Sequence, residues 1–217
     1  QITTSIEAMM WDKRALQSGT SHYFGTNFAK AFDIKFLNKK NELQFAETTS
    51  WAISSRIIGA MIMVHGDDHG LVLPPRLAPI QAVVVPIFKN DDEKTKVMAV
   101  ADRVFAELKA AGIRIKMDDR DNVSSGFKFN DWEMRGVPVR VEIGPKDVEK
   151  NSVALARRDK PGKAGKVFVP QEGLAATISE LLVEIQASLL KRATEFRDAN
   201  IHDPKDYDDL KQIVTNG

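Results

Sequence analysis

Cysteine is absent from this 217-residue chain, which excludes disulfides and thiolate metal sites within it. That absence agrees with a reducing, cytoplasmic setting. Long apolar runs are missing too. The longest, residues 57–64, falls far short of the ~20 residues that a bilayer-spanning helix needs, so no membrane role is expected. No basic segment leads into an apolar run at the start, so no secretory signal is read there. Neither sign of charge is in excess, with 31 basic and 30 acidic residues and a net charge of +1. A protein holding nucleic acid mainly through phosphates is more basic, so an RNA partner would be gripped by local patches and base contacts. Internal repeats and low-complexity tracts are lacking. What remains is ordinary for a globular protein: 43% hydrophobic and 28% charged residues, with length for one large domain or two small ones.

Residues 1–50 carry short alternating runs between polar turns. Ile34 and Phe36, then Leu43 and Phe45, flank Asn38-Lys39-Lys40-Asn41, which predicts a hairpin in an antiparallel region. Ser54 to His65 reads as a helix apolar on nearly every side, expected in the middle of its domain. Gly66 ends it, residues 67–70 form a loop, and Leu71-Val72-Leu73 predicts one more short strand. From Ile80 the texture changes. Val83 to Ile87 is a β-branched run suited to a strand buried on both faces. Asn90 or Asp91 caps a helix with apolar residues at Val97, Val100, Ala101, Val104, Leu108 and Ala111, and Gly112 closes it. Ile113, Ile115 and Met117 alternate as the next strand, giving a parallel strand–helix–strand unit. A short helix is expected over 126–134. Val137, Val139, Val141 and Ile143 alternate as a strand whose other side carries Pro138, Arg140 and Glu142. Two further strands are predicted at Val153–Ala156 and Val167–Val169. One helix from about Glu172 to Arg197 would run about 40 Å and reach a neighbour beyond the sheet. The chain thus divides near Leu77–Pro79, and Asn216-Gly217 reads as a helix-ending pair.

Two constellations carry chemistry. The first surrounds Arg56, an arginine at the start of an apolar helix. A buried guanidinium there needs an anion, and with Ser54 and Ser55 at a helix start the group suits a phosphate. A structural bridge from Arg56 to an internal carboxylate serves equally. His65 and His69 flank Asp67 and Asp68, but Gly66 and Gly70 argue for a turn rather than a helical metal site. The second constellation, residues 126–146, places Phe127, Phe129 and Trp132 near Glu133, Arg135, Arg140 and Lys146. Unstacked RNA bases are read by aromatic stacking and edge hydrogen bonds, which such a set provides. Core packing for Phe127 and Trp132, and a surface ion pair of Glu133 with Lys146, are the plainer alternatives. Lys163 and Lys166, in a basic stretch from Arg157, offer phosphate contacts or a solvated loop.

Residues 48–75, TTSWAISSRIIGAMIMVHGDDHGLVLPP, resemble motif 3 of class II aminoacyl-tRNA synthetases in its prolyl version. There a Ser/Thr-x-Arg step leads into an apolar helix and then HGDD-x-GLVLPP. Residues 17–22 resemble the prolyl enzymes' Gln-x-x-Thr-Ser-His element, and residues 126–146 resemble their anticodon domain. Asp118-Asp119-Arg120-Asp121, Gly144-Pro145-Lys146-Asp147 and the closing helix fit the same family, so the resemblance covers essentially the whole chain. It implies that Arg56 holds the phosphates of ATP, with Ser54, Gln17 and Thr20 also at ATP, and that His22 lines the proline pocket. Phe129 would stack on an anticodon base, and Glu133, Arg140 and Lys146 would read the two guanines of a proline anticodon. Position 52 is Ala where the family usually has Gly, and its methyl narrows the adenine side of that pocket.

The expected architecture is therefore α/β (α+β overall): part of an antiparallel class II catalytic sheet in residues 1–78, a mixed five-stranded anticodon-binding domain in 79–178, and a helical extension in 179–217. The implied activity is that of a proline–tRNA ligase, using ATP with Mg²⁺, proline and tRNA(Pro), with no side chain acting as acid or base and no metal held by this chain. Resemblance also implies a homodimeric full-length protein of the archaeal/eukaryotic-like branch. Motifs 1 and 2 would precede Gln1 and a zinc-bearing domain would follow Gly217, leaving this stretch inactive alone. A threonyl or glycyl synthetase, or a non-catalytic tRNA-binding relative, are the rivals. The Gln-x-x-Thr-Ser-His element speaks against the first two, and retention of Thr20, His22, Ser54 and Arg56 against the third.

Overall fold

Alternating polar and apolar residues at the start of the chain build an antiparallel meander. β1 (Ile2–Met9) pairs with β2 (Ala15–Gly25). A short helix, α1 (Asn27–Ala31), then leads to the hairpin of β3 (Lys35–Leu37) and β4 (Leu43–Phe45). Its turn is closed by Asn38, whose Oδ1 accepts from the Lys40 and Glu42 backbone N–H groups at 2.8 and 3.1 Å. β5 (Thr48–Ile53) returns to pair with β2, giving the sheet order β1-β2-β5, and α2 (Arg56–His65) follows. The computed structural model describes residues 1–160 and 162–216. The helix stop expected at Gly217 lies outside them.

The backbone separates into two compact units, one of residues 1–64 with 200–217 and the other of residues 65–199. In the first, Met10, Ala29 and Ala60 are the buried hydrophobic residues. Helix α2 does not sit in an interior as its composition suggests: Ile57, Ile58, Ile62 and Met63 are all exposed. A three-stranded sheet with short companions has too little surface to cover a helix that is apolar all round.

The second unit is organised by β-branched strands. β6 (Ala82–Pro86) is buried at every residue. α3 (Asp91–Ala110) is capped by Asn90, whose side chain accepts from Glu93 N at 2.8 Å, and it returns the chain to β7 (Ile115–Met117), parallel to β6. The chain continues through α4 (Ser125–Met134), β8 (Val139–Ile143), α5 (Pro145–Glu149), β9 (Ser152–Arg157), a single 3-10 turn at Gly162–Gly165, β10 (Lys166–Pro170) and the long α6 (Leu174–Ala199). Strand order is β10-β9-β8-β6-β7, with β6 parallel to β7 and β8, and β9 antiparallel to both of its neighbours, β8 and β10. All five expected strands of this domain are present. After α6 the chain forms α7 (Tyr207–Asn216), which groups with the first unit.

One face of the five-stranded sheet carries the main core. Ala82, Val84, Val139, Val141, Ile143, Val153 and Leu155 pack against α3 and α6. Each fully buried branched side chain contributes about 1.5–3 kcal/mol of transfer free energy. The opposite face holds a smaller cluster of Val83, Val85, Trp132 and Val137, supplied by α4 and its exit turn.

Leu71-Val72-Leu73 is not the strand expected. Its backbone N–H groups bond to a turn instead, Leu71 N to Met134 O at 3.0 Å and Leu73 N to Gly136 O at 3.3 Å, while Val72 enters the core. The approach is close enough to require glycine. A Cβ on Gly136, whose φ is +71°, would stand 2.7 Å from Leu71. The second unit therefore begins at His65, ahead of the composition change at 77–79.

Candidate functional site

In the first unit, strand register decides which side chains share a face. Facing residues of an antiparallel pair project to the same side. Thr20 stands opposite Ser5 and Ala52, and His22 opposite Thr3 and Ser50. Gln17, three residues before Thr20, would point to the other side of a regular strand. A bulge at Ser18 shifts the register, so Gln17 pairs with Glu7 and falls into phase with Thr20 and His22. The spacing of the three residues is thus explained by one inserted residue. Next to the bulge, Gly19 lets β5 approach closely, since a Cβ there would stand 3.0 Å from Ala52 O.

On this polar face Thr3 Oγ1 and His22 Nδ1 are hydrogen bonded at 2.9 Å, and the His22 ring stacks on Phe24 with centroids 5.3 Å apart. Ser54 closes the end of β5 onto β2, its N and Oγ both donating to Ser18 O at 2.9 and 3.3 Å. Arg56 Nε donates to Ser54 Oγ at 3.3 Å. From Ser18 to His22 is about 13 Å along the strand at 3.3 Å per residue.

Arg56 is not buried as its position in an apolar helix suggested. Its side chain is exposed, and no acid pairs with it among the described residues. The desolvation argument for an anion partner therefore fails, and so does the alternative of an internal bridge. A hollow of about 470 Å³ on this sheet is lined by Thr4, Ile6, Thr20, Ser21, Trp51, Ala52 and Ile53; neither Arg56 nor His22 lines it.

In the second unit α4 is pinned by one carboxylate. Asp118 accepts from Arg120 Nε and Nη2 at 2.8 and 2.7 Å and from Trp132 Nε1 at 2.7 Å. Lys128, buried, donates to Asp118 O at 3.1 Å. Burial raises the Asp118 carboxyl, but the bonds from Arg120 and Trp132 outweigh it and hold it at about 2. Trp132 is core, as its alternative reading had it, whereas Phe127 is exposed.

Beside α4 lies a cleft of about 350 Å³ whose lining includes Phe129, Glu133, Arg140, Glu142, Lys163 and Lys166. The guanidinium of Arg140 sits 4.2 Å from the Phe129 ring centroid, so one face of that ring is already occupied. Glu142, only 3% exposed, receives Arg140 Nε at 2.9 Å and Lys166 Nζ at 2.6 Å. It thereby fixes both cations at the cleft. Glu133 differs: its carbonyl accepts from Arg158 Nε at 2.9 Å, while its carboxylate has no partner among the described residues. Lys146 does not line this cleft. It lines an adjoining hollow of about 560 Å³ that also contains Glu142 and Lys166. Phe129, Glu133 and Arg140 are thus brought together and Lys146 stands next door.

Asp67 ties the turn together. Asp67 Oδ1 accepts from His69 N at 2.9 Å, and Arg158 Nη1 donates to Asp67 Oδ2 at 2.8 Å, which lowers the Asp67 pKa. The His65 imidazole is lowered by burial and by Arg192, whose Nη2 donates to His65 O at 3.2 Å. Glu142 and Asp118 were not singled out by sequence reasoning. The polar side of an alternating strand reads as solvent-facing, and no local pattern marks that α4 covers it.

Comparison with known proteins bears on both sites. Residues 81–181 match the family model described as an anticodon binding domain. A proline–tRNA ligase of Chloroflexus aurantiacus is 60% identical over 212 residues, 98% of this chain and 44% of that protein. The chain matches the C-terminal region of prolyl-tRNA synthetases, anticodon-binding domain included. The chloroplastic/mitochondrial proline–tRNA ligase of Arabidopsis thaliana is 53% identical over 219 residues, 100% of this chain and 40% of that protein. A crystal structure of the Cryptosporidium parvum prolyl-tRNA synthetase, complexed with L-proline and AMP, superposes with a TM-score of 0.86 at 41% identity, covering 92% of this chain and 42% of that one. The chain spans less than half the length of the curated relatives it matches. Its mixed α/β architecture, with antiparallel and mixed sheets and a long helix near the C-terminus, is that of the prolyl-tRNA synthetase structure.

Proposed function

We propose that this chain serves a proline–tRNA ligase, contributing part of the catalytic sheet within residues 1–78, the anticodon reader within 79–178 and a helical extension in 179–217. The observation that carries the reading is the cleft in the second unit. An unpaired Glu133 carboxylate and the Arg140 guanidinium stacked on Phe129 flank one pocket. A guanine edge presents N1–H and N2–H₂ donors to a carboxylate, and O6 and N7 acceptors to an arginine or lysine. In this reading Glu133, Arg140 and Lys146 take the two guanines, and Phe129 stacks through Arg140 or on its free face.

In the whole enzyme, proline's carboxylate attacks the α-phosphate of ATP, forming prolyl-adenylate and releasing pyrophosphate. A ribose hydroxyl of the tRNA end then takes the prolyl group and releases AMP. Catalysis of this kind is positioning and charge stabilisation rather than side-chain acid–base work. Gln17 and Thr20 would contact ATP, Ser54 would support Arg56 at the phosphates, and His22 would meet proline. The shared polar face of Gln17, Thr20 and His22 supports this, with Arg56 at its end. In this reading Mg²⁺ would travel on the triphosphate and share its charge.

A homodimer, a cytoplasmic setting and membership of the archaeal/eukaryotic-like branch belong to the same proposal. The 26-residue α6 supports the branch, whereas the bacterial relatives do not specify it. No helix among the described residues is long and apolar enough to cross a membrane. Glu133→Ala is expected to weaken proline tRNA binding by about 1–3 kcal/mol. An equal loss for a tRNA with both anticodon guanines replaced contradicts the assignment. ATP–pyrophosphate exchange by the full-length protein with proline, threonine and glycine separates the prolyl reading from its synthetase rivals. Exchange with no amino acid leaves the non-catalytic tRNA-binding relative.

A further inference from the structure

The face of the five-stranded sheet that α4 covers is covered only in part. Register aligns two rows across the strands: Val83, Arg140, Ala156 and Lys166 in one, and Val85, Glu142, Ala154 and Phe168 in the other. Facing residues share a side, so both rows lie on this face. Trp132 and Val137 close over Val83 and Val85. The two alanines on β9 keep the middle low, and the rows end at Lys166 and Phe168 on the edge strand β10. Phe168 is 68% exposed, and its ring meets Lys166 Nζ at 5.8 Å from the centroid.

This ring lines the hollow of about 560 Å³ together with Lys146, Lys150, Asp147, Glu142 and Lys166. Glu142 and Lys166 also line the neighbouring cleft, so the two share a wall. Both acids here have partners, though only the Glu142 charge is met by cations. Glu142 holds Arg140 and Lys166, and Asp147 Oδ2 accepts from Gly144 N at 2.9 Å. Lys146 and Lys150 take part in no ion pair among the described residues. The three lysines of this hollow outnumber its two acids, so net positive charge borders an exposed aromatic ring. Single-stranded nucleic acid is held by this combination, a π-face for a base and ammonium groups for its phosphates. A protein partner burying Phe168 would instead have to desolvate those lysines or bring its own acids.

We propose that Phe168 is a stacking platform for the unpaired nucleotide that flanks the two bases taken by the Phe129–Glu133–Arg140 cleft, with Lys150 against its phosphate. The inference rests on the anticodon reading above and extends the RNA path along the sheet to its edge. Stacking discriminates little between bases, so this position adds affinity without a sequence preference.

The probe is a proline anticodon stem-loop carrying 2-aminopurine on the 5′ or the 3′ side of its two guanines, titrated with the 217-residue chain. Binding is expected to quench the fluorophore at one of the two positions. Phe168→Ala is expected to remove that quench and weaken binding about 5- to 150-fold, whichever base stands there. Phe168→Tyr restores both, and circular dichroism checks that the exposed substitution leaves the fold intact. With an abasic nucleotide at that position, Phe168→Ala should cause no further loss. Equal binding of Phe168→Ala and the parent chain overturns the inference, as does the same loss on the abasic loop. If the parent chain fails to distinguish the guanine loop from one with both guanines replaced, the anticodon reading itself fails. If it does distinguish them and Phe168→Ala changes nothing, the stacking platform alone is wrong.

Discussion

The two units draw on the same kind of sequence and end in opposite states. In residues 65–199, apolar strands and helices close on one another, and Val83, Val141, Ile143 and Leu155 lose all contact with water. In the first unit, the sheet face opposite Thr20 and His22 carries Ile2, Ile6, Trp51 and Ile53, all exposed, with Trp51 at 76%. Five strands with long helices on one face enclose a core; three strands with a ten-residue helix do not. Apolar composition is a demand for cover, and the surrounding architecture decides whether it is met.

The comparison is broken most directly by truncating matched side chains. Leu155→Ala, at a fully buried position, is expected to destabilise the second unit by about 2–5 kcal/mol. Ile53→Ala, at an exposed one, should stay within about 0.5 kcal/mol. Hydrogen exchange of β8 and β2 amides under increasing denaturant reads the two units separately. A loss at Ile53 as large as that at Leu155 would mean the first unit has a core that the exposed positions conceal.

Acid should act on the second unit next. Asp118 titrates at about 2 in the fold against an ordinary value of 3.8. Its folded value is the lower one, so its contribution is complete above pH ~4 and disappears as pH falls towards 2. The amount is about 2 kcal/mol, measurable by urea unfolding across that range. Asp118→Asn should flatten the dependence. An unchanged slope in that variant would place the acid sensitivity elsewhere.

The smallest effect is expected at Arg56. Its guanidinium is exposed and bonds to Ser54 Oγ, so Arg56→Ala should move stability of the chain by less than about 0.5 kcal/mol. Thermal melting checks this. A clear drop would give the side chain a structural role and weaken its assignment to ATP.

Much of the fold was legible because local pattern and tertiary outcome agreed. Val139, Val141 and Ile143 alternate and are buried, Asn90 caps α3, Gly112 takes φ of +79° after it, and Asn38 closes its hairpin. Where the two parted, a partner distant in sequence was responsible. Leu71–Leu73 looked like a strand but is bonded to the turn at Gly136, and α2 looked interior but is covered only around Ala60, leaving Ile57, Ile58, Ile62 and Met63 exposed. Of the proposed site, residue types and their order were visible. The bulge that brings Gln17 into line with Thr20, and the placing of Lys146 outside the cleft that holds Glu133, were not.

By itself, the order of residues determined most strands and the long helices of residues 80–199, most of the core positions within 80–189, and which segments resemble a synthetase's substrate and anticodon elements. These depend on short-range periodicity and capping, which a linear chain carries. Only the folded arrangement decided that Glu142 and Asp118 are buried charge anchors, that Arg56 faces solvent, and that Phe168 ends an open row of charged and small side chains. Burial and electrostatic pairing are properties of surfaces that meet across long stretches of chain, and no local pattern states which surfaces those are.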